Sequence, residues 1–571
     1  MIFEIKSRYI LKYIFEYIST KNILGISKYN NKLKIALDKS LKDYKIFNQI
    51  EIEIIPNEIK NSEKNAFIKI IESNKYFFHI YFNDNYTKRI KRNYITEKDG
   101  VSKINIIIDY ENNRFEKLFK NCNCIKEINF LKCNRKNIIN INEMFFGCKS
   151  LEKLDIFHFY TDKVIFMKSV FNGCSSLKEL NLSNFNISNV IEMSSMFEGC
   201  SSLEMLNISN FNTSKLINMS NMFNGCNRLK EINFLNANTS NVTNMNSLFK
   251  NCLKLVKLSI NFSTINVTDM ENMFFNCSSI DKINVSSFDT SKTNNMSKMF
   301  YGCNSLNEIN VSSFNTSKVI NMNGMFCGCS SLKNLDVSNF DIKNVTDISW
   351  MFRGCSSLVN LNINNFKANN IIDMSGMFYY CSSLKKIDLS FFDAKKVKDM
   401  RCIFYGCNNL SNINLFEIEN TTIVDISWMF TDCSSLTNIN FPKNFNTSNV
   451  TNMSYMFKGC SSLKKVDLSK FETKNVIDMK FMFSQCLALE QLNIENFNID
   501  NLNDMSYMFN KCNSLIDLEI PNISRDIDVN YMLSDCKEIL KLKMSRYNLD
   551  SSAFKNESED KPVEYDYEDK Y

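Results

Sequence analysis

Histidine, tryptophan, glycine and proline are all scarce in this chain, and its charge is nearly balanced. Two histidines, His79 and His158, leave little for a histidine-based relay or acid–base pair. Neither stands in a C-x-x-C…H-x-x-H arrangement that would hold zinc, and His158, inside Phe157-His158-Phe159, reads as a packing residue. With 13 glycines there is no Gly-rich phosphate loop, and no G-x-S-x-G or H-E-x-x-H motif occurs. The 68 basic groups exceed the 62 acidic ones by 6, too weak an excess to predict nucleic-acid binding. No stretch approaches the ~18 uncharged apolar residues of a membrane span. Charges at Glu4, Lys6 and Arg8 interrupt any signal-peptide core, and no lipidation or wall-anchor pattern closes the chain. The expectation is a soluble cytoplasmic protein with no catalytic, cofactor-binding or metal-binding residues, and no enzyme.

What is abundant is cysteine at a fixed interval. Cys122, Cys148, Cys174, Cys200, Cys226, Cys252, Cys277, Cys303, Cys329, Cys355, Cys381, Cys407, Cys433, Cys460, Cys486, Cys512 and Cys536 recur, mostly 26 residues apart. Such self-similarity marks a solenoid, in which each unit buries its apolar face only against its neighbours. Equivalent cysteines on stacked coils would lie about 4.8 Å apart with parallel side chains, whereas a disulfide wants Cβ atoms about 3.8 Å apart and converging. The thiols are therefore expected free and buried, as small hydrophobes.

One unit, Leu203 to Cys226, shows the logic. L-x-x-L-x-I opens it as a short strand with inward Leu and Ile. Met219, Met222, Phe223 and Cys226 follow at i, i+3, i+4 and i+7, one face of a helix. Asn218 would cap that helix, as would Asp269, Asp347, Asp373 and Asp478 in other units, and Gly225 would end it. The expected fold class is an α/β repeat: a solenoid of 17 coils, a parallel strand ribbon with short helices behind. Residues 1–56 read as a helical N-terminal domain, 57–111 as a β-rich cap with strands over 66–71, 76–82 and 104–108, 112–545 as the solenoid, and 546–571 as an acidic disordered tail.

The L-x-x-L-x-L opening at this period resembles the leucine-rich repeat. The wording of CSSLKELNLSNFNISNVIEMSSMFEGC (174–200) and CSSLKNLDVSNFDIKNVTDISWMFRGC (329–355) resembles the BspA-type leucine-rich-repeat family over about three quarters of the chain. Where the common repeat has Asn or Cys, this chain mostly has Phe, as at Phe185, Phe211, Phe288, Phe314, Phe340 and Phe366, so a phenylalanine stack is expected. The resemblance implies an interaction protein, with a surface adhesin binding host or matrix proteins as the alternative.

Residues 9–18 and 22–33 resemble an F-box. That likeness implies that Leu11, Ile14, Phe15 and Ile18 dock an adaptor of an SCF-type ubiquitin ligase while the repeats choose a substrate; the other reading is an amphipathic helical cap. A second candidate partner-binding set is the column Asn181, Asn207, Asn233, Asn310, Asp336, Asn362 and Asp388, which lies between the inward positions of each strand and faces outward. A ligand-binding row and a hydrogen-bond ladder both stand open there. Sequons such as Asn212-Thr213-Ser214 arise from the repeat wording.

Overall fold

The computed structural model describes residues 45–555, apart from 61, 111, 113, 114, 209, 210, 365, 367, 368, 393, 394, 418–421, 524, 525, 540–548 and 550. Two compact units are present, residues 1–264 and 265–571.

The first unit begins with a mixed sheet. Its strands are β1 (Ile50–Pro56), β3 (Phe78–Phe82), β5 (Ile104–Ile108), β6 (Ile125–Cys133) and β7 (Lys153–Asp155), in the order β3-β5-β1-β6-β7. A separate hairpin pairs β2 (Asn65–Ala66) with β4 (Tyr94–Ile95). In β1 the alternation Ile-Glu-Ile-Glu-Ile buries Ile50, Ile52 and Ile54 and turns the glutamates away, the period-2 pattern of a sheet with one buried face. β1 is antiparallel to β6, and β6 is parallel to β7. β6 therefore joins the cap to the first coil. The buried Arg135 anchors this junction: its Nε donates to the Asn48 carbonyl at 2.7 Å, and its other nitrogens donate to Ile108, Asp109 and Asn112 carbonyls. Two expectations change here. The helical domain does not reach residue 56, because the strict Ile alternation makes 50–56 a strand; and the strand expected at 66–71 ends at Ala66, beyond which Phe67 and Ile68 are buried outside any strand.

Coils follow with β8 (Glu179–Asn181), β9 (Met205–Asn207), β10 (Glu231–Phe234) and β11 (Lys257–Ile260) in the first unit. The second unit has β12 (Asn334–Asp336), β13 (Asn360–Asn362), β14 (Lys386–Asp388), β15 (Asn412–Asn414), β16 (Gln491–Asn493) and β17 (Asp517–Glu519). All coil strands pair in parallel at a one-coil offset, as in Leu180↔Leu206 and Leu335↔Leu361. The solenoid expected from the repeat period is what forms.

The expected helices do not form. The M-x-x-M-F-x-G-C segment is a run of turns. Two residues in it, four apart, take left-handed backbone: Ser195 (φ 56) and Gly199 (φ 70), Asn221 and Gly225, Tyr455 and Gly459. A right-handed helix cannot pass through such residues. Alternate N–H groups instead cross to the next coil: Ser195, Phe197 and Gly199 donate to Ser220, Met222 and Asn224 at 2.9, 2.9 and 2.7 Å. The intervening ones close tight turns, as Cys200 does onto Phe197. Two consecutive turns put Met, Met, Phe and Cys on one side, so they mimic helical spacing. A third ladder of parallel bridges, such as Glu192↔Asn218 and Asp347↔Asp373, lies between strand and turns.

The core is columnar. Phe145, Phe171, Phe197 and Phe223 stack at 5.6 Å in the first unit, and the Phe300–Phe326 pair stacks at 5.4 Å in the second. The expected column also stacks over Phe288, Phe314, Phe340 and Phe366, at 6.3–6.4 Å. Recurring thiols donate to the Phe carbonyl of the coil before, Cys200 to Phe171 at 3.1 Å and Cys355 to Phe326 at 3.2 Å; Cys122, in the first coil, donates to Lys120. All the cysteines are free, and burial pushes thiols such as Cys200, Cys303 and Cys407 up to about 12. Buried threonines do the same work on another edge: Thr213 Oγ1 donates to the Asn238 carbonyl at 2.8 Å and Thr316 to that of Asp341 at 2.9 Å.

At the far end, Ser551–Phe554 form a 3₁₀ turn. The Ser552 and Ala553 carbonyls accept from Tyr531 and Leu533, each at 2.9 Å, where the next coil's carbonyls would be. The expected disordered tail thus loses 551–554 to the fold; the rest of the tail lies outside the described residues.

Candidate functional site

The strand face carries the Asn/Asp column. Its members are exposed or half-buried, one per coil. Each uses Oδ1 locally, accepting the backbone N–H two residues on: Asn181 from Ser183 (3.0 Å), Asn233 from Leu235 (3.3 Å), Asn310 from Ser312 (3.0 Å), Asp336 from Ser338 (2.9 Å), Asn362 from Asn364 (3.3 Å) and Asp388 from Ser390 (2.9 Å). Asn207 lies opposite Asn181 in register. These are Asx turns, which need a side-chain acceptor and accept Asn and Asp alike. The hydroxyls of Ser338 and Ser390, then their N–H groups, hold Asp336 and Asp388 below the usual carboxylate range. Asn414 Nδ2 also reaches Asp388 Oδ2 at 3.1 Å. The column therefore aligns the expected residues within each unit, with the Oδ1 atoms of Asn181, Asn233, Asn310, Asp336, Asn362 and Asp388 occupied and with Asp336 and Asp388 also bonded to the Asn of the next coil.

The positions flanking the column vary between the units. In the first, opposite charges form rungs between coils: Lys126–Glu152 and Lys153–Glu127 at 3.9 Å, Lys230–Glu204 at 3.7 Å, Lys257–Glu231 at 2.5 Å. In the second, Lys282–Glu308 at 2.7 Å is followed by Lys385, Lys386, Lys464 and Lys465, which are exposed and form no ion pair among the described residues. Leu11, Ile14, Phe15 and Ile18 lie outside the described residues, so the structure does not bear on the adaptor reading.

The residues expected to cap helices also make Asx turns. Asn218, Asp269, Asp347, Asp373 and Asp478 accept from the second N–H onward at 2.8–3.0 Å. In the second unit Asp347, Asp373, Asp399 and Asp425 are successive members of the bridge ladder. Burial, and then neighbouring carboxylates for Asp373, raise Asp373 and Asp425 above the usual range. Among the described residues no cluster of His, Cys, Asp or Glu suits a metal ion. His79 pairs with Asp109 at 2.8 Å, while His158, expected to pack, is exposed beside the Phe157 ring. A cavity among Phe130, Phe145, Phe159 and Phe171 is lined by apolar side chains and has no room for water.

Sequence reasoning missed an aromatic stripe on the turn face of the second unit. Trp428, Tyr455, Phe481, Tyr507 and Tyr531 each stand five residues before a recurring cysteine, and their rings stack in sequence at 3.7, 4.8, 4.4 and 4.7 Å. Upstream, Tyr379 and Tyr405 stack at 4.7 Å. The five lie at φ 55–60. A bulky residue there costs about 1–2 kcal/mol, and a stacked pair returns about 0.5–1.5 kcal/mol. The two nearly cancel, so stability alone does not select rings over the Ser and Asn found at the same backbone position in the first unit (Ser169, Ser195, Asn221, Ser247). Counting five back from each cysteine would have found the stripe.

A family model described as "Mycoplasma protein of unknown function, DUF285" matches residues 113–234, 218–335, 328–441 and 424–547. No curated protein matches the chain. Among solved structures, a leucine-rich repeat protein from Bacteroides ovatus is similar at 18% identity, covering 71% of this chain and 85% of its own, with a TM-score of 0.34. A leucine rich cell surface protein from Faecalibacterium prausnitzii is 14% identical over 68% and 78%, TM-score 0.27. A leucine-rich repeat protein from Eubacterium ventriosum is 16% identical over 64% and 83%, TM-score 0.25.

Proposed function

The chain belongs to the family described as Mycoplasma protein of unknown function, DUF285, and on that premise we propose that it is a non-enzymatic scaffold that binds another polypeptide through its strand face. The observation that carries this is the division of labour on that face. The Asn/Asp column, the threonines and the cysteines repeat and are engaged inside the coils, while the flanking residues vary, are exposed, and sit at a fixed spacing on a hydrogen-bonded ribbon. Asn181, Asn207, Asn233, Asn310, Asp336, Asn362 and Asp388 then supply their outward polar atoms along the contact, and the flanking pairs choose the partner. The unpaired Lys385, Lys386, Lys464 and Lys465 favour a partner with carboxylates at that point.

Charge reversal at Lys386 and Lys465 to Glu tests this in native cells. Loss of a co-purifying protein supports the reading; an unchanged set of co-purifying proteins contradicts it. Among the described residues no helix is long and apolar enough to cross a membrane. Protection of the repeats from protease added to intact cells would favour the cytoplasm, and digestion would favour the adhesin alternative.

A further inference from the structure

The turn face of the second unit carries the aromatic stripe. At two columns of this face, five and two residues before each recurring cysteine from Cys277 to Cys536, the sequence has no Asp or Glu. It has instead the aromatic stripe and the cations Lys298, Arg353 and Lys458. The Arg353 guanidinium lies over the Trp350 and Tyr379 rings at 5.2 and 5.3 Å, and the Lys458 ammonium over Tyr455 and Phe481 at 5.5 and 5.6 Å. Acids stand in the next column, at Asp432 and Asp535; burial raises Asp432 above the usual carboxylate range against the pull of Lys458. The same columns in the first unit hold Glu143 and Glu198, engaged by Lys120 and by Asn172 and Asn224. Tyr455 is buried and Trp350, Trp428, Phe481, Tyr507 and Tyr531 are half-buried; such rings flanked by ring-bound cations have the composition of an interface core.

We propose that this stripe binds an extended polypeptide segment bearing carboxylates beside aromatic side chains. The charge complementarity selects the carboxylates: Lys298, Arg353 and Lys458 stand in two columns that hold no acid. The stacking selects the polypeptide over a nucleic acid. The rings from Trp428 to Tyr531 cover one another's faces, so no base can stack between them, whereas Trp428, Phe481, Tyr507 and Tyr531 keep part of their surface in solvent. Room for the stripe is built into the backbone: a Cβ at Gly376 would come within 2.2 Å of the Trp350 ring.

The chain's two tryptophans, Trp350 and Trp428, both lie on the stripe, so intrinsic fluorescence reads its occupancy. Titrating the full chain with a random glutamate–tyrosine copolymer should change that fluorescence saturably. Arg353→Gln with Lys458→Gln should weaken binding about tenfold, and Tyr455→Asn with Tyr507→Asn should do likewise while the fold persists, because Asn occupies this backbone position at Asn221. Absence of saturable binding by the wild type, or equal affinity in both variants, overturns the proposal. So does equal binding of a lysine–tyrosine copolymer, which would mean apolar adhesion. So does quenching by phosphatidylglycerol vesicles but not by the copolymer, which would mean a membrane surface. Should the tyrosine pair fail to fold, the Arg353/Lys458 pair decides alone. The strand-face charge reversals change none of these residues, so this surface and the strand-face scaffold fail independently.

Discussion

A single Asn or Asp in this chain is defined by which N–H it receives. Oδ1 of Asp336 closes a turn onto Ser338 at 2.9 Å, so Asp336→Asn should leave stability nearly unchanged, while Asp336→Ala should cost about 1 kcal/mol, read as a lowered denaturant midpoint. A large loss in the Asn variant would mean that the charge, and not the acceptor, matters there. The sequon wording has the same origin. Asn212 receives the N–H of Ser214 at 3.1 Å, and the buried Thr213 between them bridges to the next coil at 2.8 Å. The cysteines are equally committed. Buried, hydrogen-bonded to carbonyls and with thiols such as Cys303 pushed up to about 12, they lack thiolate at neutral pH. A thiol reagent should leave the recurring cysteines unmodified until denaturant is added; rapid stoichiometric labelling of the native protein would contradict the packing.

At the scale of the element, the strand was legible and the helix was not. L-x-x-L-x-I names its inward side chains, and Leu180, Leu335 and Leu492 are buried as that pattern requires. M-x-x-M-F-x-G-C carries helical spacing because two turns in series also bring positions i, i+3, i+4 and i+7 to one side. The signal against a helix was weak: left-handed positions held by Ser, Asn, Trp or Tyr look ordinary in a sequence, and only Gly at the second position hints at positive φ. The outward column was legible as a face, but its Asx turns depend on the backbone two residues on. At Gly376 a left-handed φ of 55 coincides with the Trp350 ring. Gly376→Ala should therefore destabilise by more than the ~1 kcal/mol of a simple Gly→Ala strain. Trp350→Ser should recover part of that loss in a double-mutant cycle; strict additivity would show that ring and Cβ do not meet.

At the scale of the whole molecule, the two units share a coil and differ in charge. The first carries several ion-pair rungs on its strand face, and the second has the Lys282–Glu308 rung, leaves Lys385, Lys386, Lys464 and Lys465 without an ion pair among the described residues, and stacks aspartates in its bridge ladder. Asp373, Asp425 and Asp478 are raised mainly by burial, with Asp399, Asp347 and Asp504 adding repulsion and Arg401 and Lys480 opposing it. A carboxyl raised in the folded state binds its proton more tightly there than when unfolded, so these groups add stability as pH falls through their folded values toward the unfolded value near 3.9. Asp289, Asp336, Asp388 and Asp467 are lowered and act oppositely, their contribution being lost only as pH falls through values below the usual range. The melting temperature of the second unit should thus rise as pH falls from neutrality toward the unfolded carboxylate value near 3.9 and fall in stronger acid, and Asp373→Asn with Asp425→Asn should flatten the rise. A steady fall across that window would contradict the buried row.

The scaffold reading is tested most directly by a photo-crosslinking amino acid placed in native cells at Asn412, an exposed strand-face position, and separately at the buried Phe352 as a control. The account predicts light-dependent adducts joining the chain to a second polypeptide from Asn412 and none from Phe352. Silence at Asn412 and at its strand-face neighbours, with the fold intact, would contradict it.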